Sequence, residues 1–182
     1  MKKLLVVVDY QRDFVDGSLG FAGAKAIEGA ICEKINAYRA EGAQVAFTFD
    51  THDEHYLNTE EGRHLPVPHC LRNSAGWRLY GRVESLLEPD DPCFEKETFG
   101  SFALAEYLRG QQFDQVELAG LVSNICVLSN AVLAKAALPQ AHIVVDARCT
   151  AGADEKLHRA ALAVLQGLHV EVLHREKGEE NG

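Results

Sequence analysis

The chain has no run of lysine and arginine, and its acids outnumber its bases, 27 against 18, for a formal net charge of -9. That balance opposes a nucleic-acid backbone or an anionic membrane surface, so neither is expected as a partner. No apolar stretch is long enough to cross a bilayer. The opening run, Met1-Lys-Lys-Leu-Leu-Val-Val-Val-Asp9, is too short in its apolar part for an export signal and ends in an acid, which reads as a first strand. Five cysteines without regular spacing, Cys32, Cys70, Cys93, Cys126 and Cys149, argue against a disulfide framework and for reduced thiols in a cytoplasm. A Gly-x-Gly-x-x-Gly turn after the first strand is missing, which discounts an oxidoreductase on a dinucleotide fold. With no internal repeat, low-complexity linker or composition break, residues 1–182 read as a single domain, and a small molecule is the expected partner.

What is present is an alternation of apolar runs with segments of helical period, the pattern of parallel strands joined by covering helices. Strands are expected at 4–9, 44–49, 93–96, 116–121, 142–146 and 170–173. Ile27, Ile31 and Ile35 mark one helix face; Ile125, Leu128 and Val132 mark another. Leu157, Ala161, Val164, Leu165 and Leu168 mark a third, and Phe102, Ala105 and Leu108 a shorter one. An apolar face at 131–137 offers a surface for self-association, and the tail at 176–182 is expected to fray. The long segment from Thr51 to about Pro92 lacks a clear strand and holds four histidines, a Pro-Val-Pro run and Trp77, which is assigned to packing. Long irregular segments in compact domains are usually functional.

In open parallel sheets, ligands bind beyond the carboxyl ends of the strands. Asp9, Asp50 and Lys96 end the first three strands, and Cys126 follows the fourth by one tight turn, so four chemically useful side chains project toward one edge. Cys126 is placed in an exposed setting at the N-terminus of a helix beginning near Ser123-Asn124, where backbone N–H groups and the helix dipole favour a thiolate. Lys96 lowers the thiol pKa further by charge, Asp9 shuttles the proton, and main-chain N–H groups of the turn at 120–126 receive the oxyanion. Asp50 and His52, at i and i+2 of an extended chain, share a face, and His69 returns after the long loop. Two histidines and a carboxylate make a site for a divalent ion, zinc first, with iron(II) or manganese(II) as alternatives. His55 and His64 lie near enough in sequence to supplement or replace members of this set.

Three separated motifs, Asp9-Tyr-Gln-Arg-Asp-Phe14, Glu95-Lys96 with Thr98-Phe99-Gly-Ser-Phe102, and Gly120-Leu-Val-Ser-Asn-Ile-Cys126-Val, together resemble the isochorismatase-like cysteine hydrolases over nearly the whole chain. Phe49-Asp50-Thr-His52 followed by Pro68-His69-Cys70 is similar to the metal motif of the nicotinamidase branch. The resemblance implies a three-layer α/β/α, Rossmann-like fold around a six-stranded parallel sheet, and an Asp9–Lys96–Cys126 triad. It also implies a cis peptide before Val122 that aims the Val122 and Cys126 N–H groups at the oxyanion, and a homo-oligomer. Asp50, His52 and His69 then hold the metal, which in nicotinamidases meets the pyridine nitrogen, while Phe14 and Leu121 lie at the substrate.

Two departures stand against that pattern. Nicotinamidases commonly carry a tryptophan three residues before the second metal histidine, and this chain has Pro66, so an aromatic wall is missing there. They also usually carry an acid two residues before the cysteine; Asn124 stands here, a good helix cap that lowers the local negative charge. The implied reaction is hydrolysis of nicotinamide to nicotinate and ammonia through a Cys126 thioester. Alternatives are the same triad acting on another small amide, carbamoyl or ureido compound, and a non-catalytic member that binds a ligand or partner in the cleft.

Overall fold

The computed structural model describes residues 1–174; the expectation for the tail at 176–182 lies outside them. Six strands form one sheet: β1 (Lys3–Val8), β2 (Gln44–Asp50), β3 (Cys93–Lys96), β4 (Gln115–Leu121), β5 (His142–Ala151) and β6 (Glu171–Leu173). Their order is β3-β2-β1-β4-β5-β6, and each neighbouring pair runs parallel. Five-residue buried runs such as Leu4–Val8 are what a strand covered on both faces requires. The helices are α1 (Arg12–Val15), α2 (Ala22–Ala26), α3 (Glu28–Ala40), α4 (Glu60–His64), α5 (Gly81–Ser85), α6 (Phe102–Gln111), α7 (Leu128–Ala137) and α8 (Glu155–Gly167).

Two cores lie on opposite faces of the sheet, which makes the architecture a three-layer α/β/α fold. One joins Leu4, Val6 and Leu118 to Leu108 of α6, Ala134 of α7 and Leu165 of α8. The other joins Leu5, Val7 and Ala119 to Ile31 and Ile35 of α3 and Val83 of α5. Among the described residues, no helix is long and apolar enough to cross a membrane.

Several expected boundaries and faces move. β5 runs five residues beyond Asp146 to Ala151, after a register shift between Leu118 and Gly120 of β4. Helix faces shift more. α7 buries Asn130, Ala131 and Ala134 and leaves Val132 43% exposed, so much of the alanine face expected to drive self-association packs into the core. In α8 the buried line is Ala161, Leu162 and Leu165, while Leu157, Val164 and Leu168 are exposed; in α6, Phe102 is exposed and Leu104 and Leu108 are buried. Each helix carries apolar residues over more than one stripe, and the sheet selects which stripe it covers.

Chain order reverses between β1 and β4: β2 and β3 build outward on one side of β1, and β4 to β6 on the other. The crevice beyond the strand ends opens at this switch point. Gly120 permits the close approach there. Its φ is +111°, and a Cβ at that position would lie 2.0 Å from the Val8 carbonyl oxygen.

Candidate active site

Asp9 turns out of β1 in the left-handed region, φ 45°, which aspartate tolerates better than most residues. Its carboxylate is fully buried, with Oδ1 accepting from Thr48 Oγ1 at 2.6 Å and Oδ2 2.6 Å from Lys96 Nζ. Asp50 and Lys96 end neighbouring strands in register. Lys96 Nζ lies 3.1 Å from Asp50 Oδ1 and donates to Cys126 Sγ at 3.7 Å. One buried ammonium therefore touches two carboxylates and the sulfur. Burial works against its charge, but Asp9, Cys126 and Asp50 more than offset it and raise the Lys96 pKa.

The exposed setting expected for Cys126 does not hold. Cys126 is 6% exposed and lies inside a π-helical turn, Ser123–Val127, ahead of α7. The residue that caps this turn is Val122, and Asn124 makes no capping bond. Burial, then the Asp9 charge, push the thiol well above its ordinary value, with Lys96 opposing. The sulfur lies between a carboxylate that can accept its proton and an ammonium that favours its ionised form. Burial and the Asp50 charge also raise Asp9, while Lys96 and Thr48 hold it down. The Leu121–Val122 peptide is cis.

Asp50, His52 and His69, all buried, present ligand atoms within 4.8 Å of one another. Asp50 Oδ2 lies 3.0 Å from His52 Nε2 and 3.2 Å from His69 Nε2. A carbonyl only accepts, so the 2.8 Å contact of His69 Nδ1 with Val67 O puts the neutral ring's hydrogen on Nδ1 and turns the Nε2 lone pair inward. A carboxylate oxygen and two imidazole nitrogens this close are held together by a shared cation, a proton or, where one binds, a divalent metal. Burial opposes ionisation of Asp50, yet His52, His69 and Lys96 hold its carboxyl below the usual range. Glu61 was not anticipated. Its Oε1 lies 3.7 Å from His69 Nε2 and 4.0 Å from His52 Nε2, and its Oε2 is buried with no hydrogen-bond partner among the described residues. His55 and His64 are exposed and pair with Glu54 and Glu60 instead, so neither joins the cluster.

A cavity of about 280 Å³ opens onto Cys126, Asp50 and His69. Phe14 lines it, as expected, and packs its ring against His69 with centroids 5.5 Å apart. Leu121 does not line it; fully buried, it belongs to the α3-side core. Phe14, Phe21 and Phe99 bring three aromatic rings to the cavity lining, and Pro66 does not line it. Trp77 packs on Phe49 and donates to Thr51 Oγ1, consistent with a packing role.

Two side chains brace the site from behind. Gln11, fully buried, accepts from Asp50 N at 2.8 Å and donates to Asp50 O at 2.9 Å and Trp77 O at 2.8 Å, clamping the strand end that carries the shared carboxylate. Asn130 donates to Cys126 O and Phe99 O and accepts from Ser101 N, tying the cysteine turn to the loop after Lys96. Gln11 stood inside a quoted motif, but only its partners reveal its task.

A six-stranded parallel α/β fold with a thiol, carboxylate and ammonium joined at its switch point defines a class of α/β hydrolytic site. The Isochorismatase domain model matches residues 3–177. An uncharacterized isochorismatase family protein, PncA of Bacillus subtilis, is 37% identical over 144 residues, covering 72% of this chain and 78% of that protein. The crystal structure of a nicotinamidase/pyrazinamidase PncA from Bacillus subtilis is 31% identical and superposes with a TM-score of 0.86, covering 96% of this chain and all of that one. The pyrazinamidase of Pyrococcus horikoshii, solved in complex with zinc, is 25% identical with a TM-score of 0.83 and the same coverage. The chain belongs to the isochorismatase-like superfamily, on its nicotinamidase-like branch.

Proposed function

We propose that this hydrolase, which acts on amide carbon–nitrogen bonds, takes a small heteroaromatic carboxamide of the nicotinamide type and releases the acid and ammonia. The observation that carries the reading is the position of Lys96 Nζ, in contact at once with Asp9, Cys126 and Asp50. In this reading Asp9 accepts the Cys126 proton as the sulfur attacks the carboxamide carbon, and Lys96 balances the charge that develops on the sulfur. The N–H groups of Val122 and Cys126 receive the oxyanion. Asp9 then returns its proton to the leaving nitrogen, and ammonia departs as the C–N bond breaks, leaving a thioester. Water attacks the thioester carbonyl as Asp9 takes its proton; the C–S bond then breaks, Asp9 passes the proton to the leaving sulfur, and the carboxylic acid is released.

Asp50, His52 and His69, with Glu61 beside them, would hold a divalent ion, for which zinc is the leading candidate. Bound there, the ion supplies a Lewis-acid anchor for a ring nitrogen. Phe14, Phe21 and Phe99 enclose the ring, and the burial of Asp9, Lys96 and Cys126 keeps the proton transfers away from bulk water. The same reading takes residues 1–182 as one catalytic unit. It includes a cytoplasmic setting, consistent with five free cysteines, and self-association through exposed apolar residues such as Val132 and Val164.

The test is ammonia release from a panel of nicotinamide, pyrazinamide, benzamide and an N-carbamoyl compound, with metal analysis of the same preparation. Nicotinamide turnover well above that of benzamide, which lacks the ring nitrogen, is expected. Turnover confined to the carbamoyl compound would replace the substrate class, and silence across the panel would favour a binding protein.

A further inference from the structure

A second cavity, of about 350 Å³, lies against the same metal cluster and shares only Glu61 with the lining of the catalytic cavity. Its walls differ in kind. Around Cys126 the cavity is walled mainly by apolar side chains, Phe14, Phe21, Leu65, Phe99 and Leu157, with Asp154 engaged as the cap of α8; the second is lined by Asp53, Glu60, Glu61 and Glu97, by threonines and by Arg72 as its one arginine or lysine. Arg72 is already paired with Glu95. His52 is the metal-cluster residue that faces this side. Only 4% of its side chain is exposed, and its Nε2 faces Asp50. The buried Glu61 Oε2, with no hydrogen-bond partner among the described residues, stands at the boundary between the two cavities.

We propose that this acidic second cavity is the route by which a hydrated divalent cation reaches the Asp50–His52–His69 cluster, separate from the route taken by substrate. The inference rests on the metal reading above and adds to it where the ion enters. A divalent ion with six waters occupies on the order of 200 Å³ at about 30 Å³ per water, which the cavity accommodates. Carboxylates on its wall attract the ion from solution and replace its waters stepwise, whereas the largely apolar wall of the catalytic cavity offers at its mouth only Asp154, which is occupied in capping α8. Glu61, reached from either cavity, hands the ion to the two Nε2 atoms and Asp50. Metal is thereby able to load while the catalytic cavity is occupied.

The test follows zinc uptake by the full chain, stripped with chelator, from a chromophoric zinc indicator at low ionic strength. Glu97→Gln and Asp53→Asn change exposed carboxylates to isosteric amides, and Asp53→Asn keeps the Oδ1 acceptor for His55 N. Each is expected to slow uptake by roughly three- to tenfold, an effect that shrinks at high salt, with zinc per chain at equilibrium unchanged. Arg72→Gln is expected to speed uptake, a sign that general damage to the fold would not produce. Leu157→Trp, which narrows the catalytic mouth, is expected to leave uptake unchanged. Rates insensitive to Glu97, Asp53 and Arg72, or uptake slowed by Leu157→Trp alone, would overturn the route while leaving the metal reading intact. Failure of the wild-type chain to retain zinc, with His52→Ala no different, would overturn both.

Discussion

Burial and the Asp9 charge push the Cys126 thiol pKa up, with Lys96 pulling the other way. Alkylation by iodoacetamide is therefore expected to be slow at pH 7 and to accelerate only as pH rises beyond the ordinary thiol value of about 8.5. Fast labelling at neutral pH would mean that the thiolate is already formed at rest. Cys126→Ala is expected to lower kcat by at least about a thousandfold while the circular-dichroism melt stays close to wild type. Gln11→Ala removes three hydrogen bonds that hold Asp50 and Trp77. It is expected to weaken zinc binding, measured by competition with an indicator, and to cost about 2–4 kcal/mol of stability. At this scale the identities of Asp9, Lys96 and Cys126 were legible as chemistry-bearing residues at strand ends. The state of the sulfur was not, because it depends on how completely distant segments exclude water from it.

Between β1 and β4, Gly120 lets two backbones approach more closely than any side chain permits. Gly120→Ala places a Cβ 2.0 Å from Val8 O in a conformation that L-residues avoid, and is expected to cost more than about 3 kcal/mol by urea unfolding, or to prevent folding. At the start of α8 the Asp154 carboxylate accepts from Lys156 N and Leu157 N. Loss of that cap in Asp154→Ala is expected to cost roughly 1 kcal/mol in the same measurement. Strand positions were readable because fully covered strands are continuous apolar runs, as at 4–8. Helix faces were not, because Leu157, Val164 and Leu168 repeat at helical spacing yet point away from the sheet. Periodicity identifies a helix; the partner surface chooses its side.

Across the whole molecule, a buried charge cluster links α3 to the sheet away from the cavity. Lys34 Nζ reaches Glu117 Oε1 at 2.8 Å and Asp146 Oδ2 at 3.0 Å, Tyr38 donates to Glu117, and Arg148 closes on Asp146. Burial would raise Asp146, but its bonds to Arg148 and Lys34 hold it below the usual carboxylate range. The unfolded chain therefore binds this proton more readily than the folded one. The stability Asp146 contributes is present above its unfolded value of about 3.9 and is lost as pH falls toward the folded value. Asp146→Asn, which leaves Lys34 underpaired, is expected to cost about 3 kcal/mol at pH 7 and to flatten the dependence of the melting temperature on pH between about 2 and 4. Removal of metal acts at the same scale: chelation is expected to lower the melting temperature, and added zinc to restore it, because an ion that binds only the folded chain stabilises it by mass action.

The amino-acid order alone determined where the first four strands end to within a residue, that the strands run parallel, and that Asp9, Asp50, Lys96 and Cys126 project toward one edge of the sheet. Those features follow from local apolar patterning and from a topology rule that needs no side-chain detail. Only the folded chain decided that Cys126 is buried with its thiol pKa pushed up, that Glu61 rather than His55 or His64 stands beside the metal cluster, that Leu121 belongs to the core, and that Phe14, Phe21 and Phe99 line the cavity. Each of these depends on how far water is excluded and on which side chains from distant stretches come within a few ångströms. A linear sequence carries that information only through its packing.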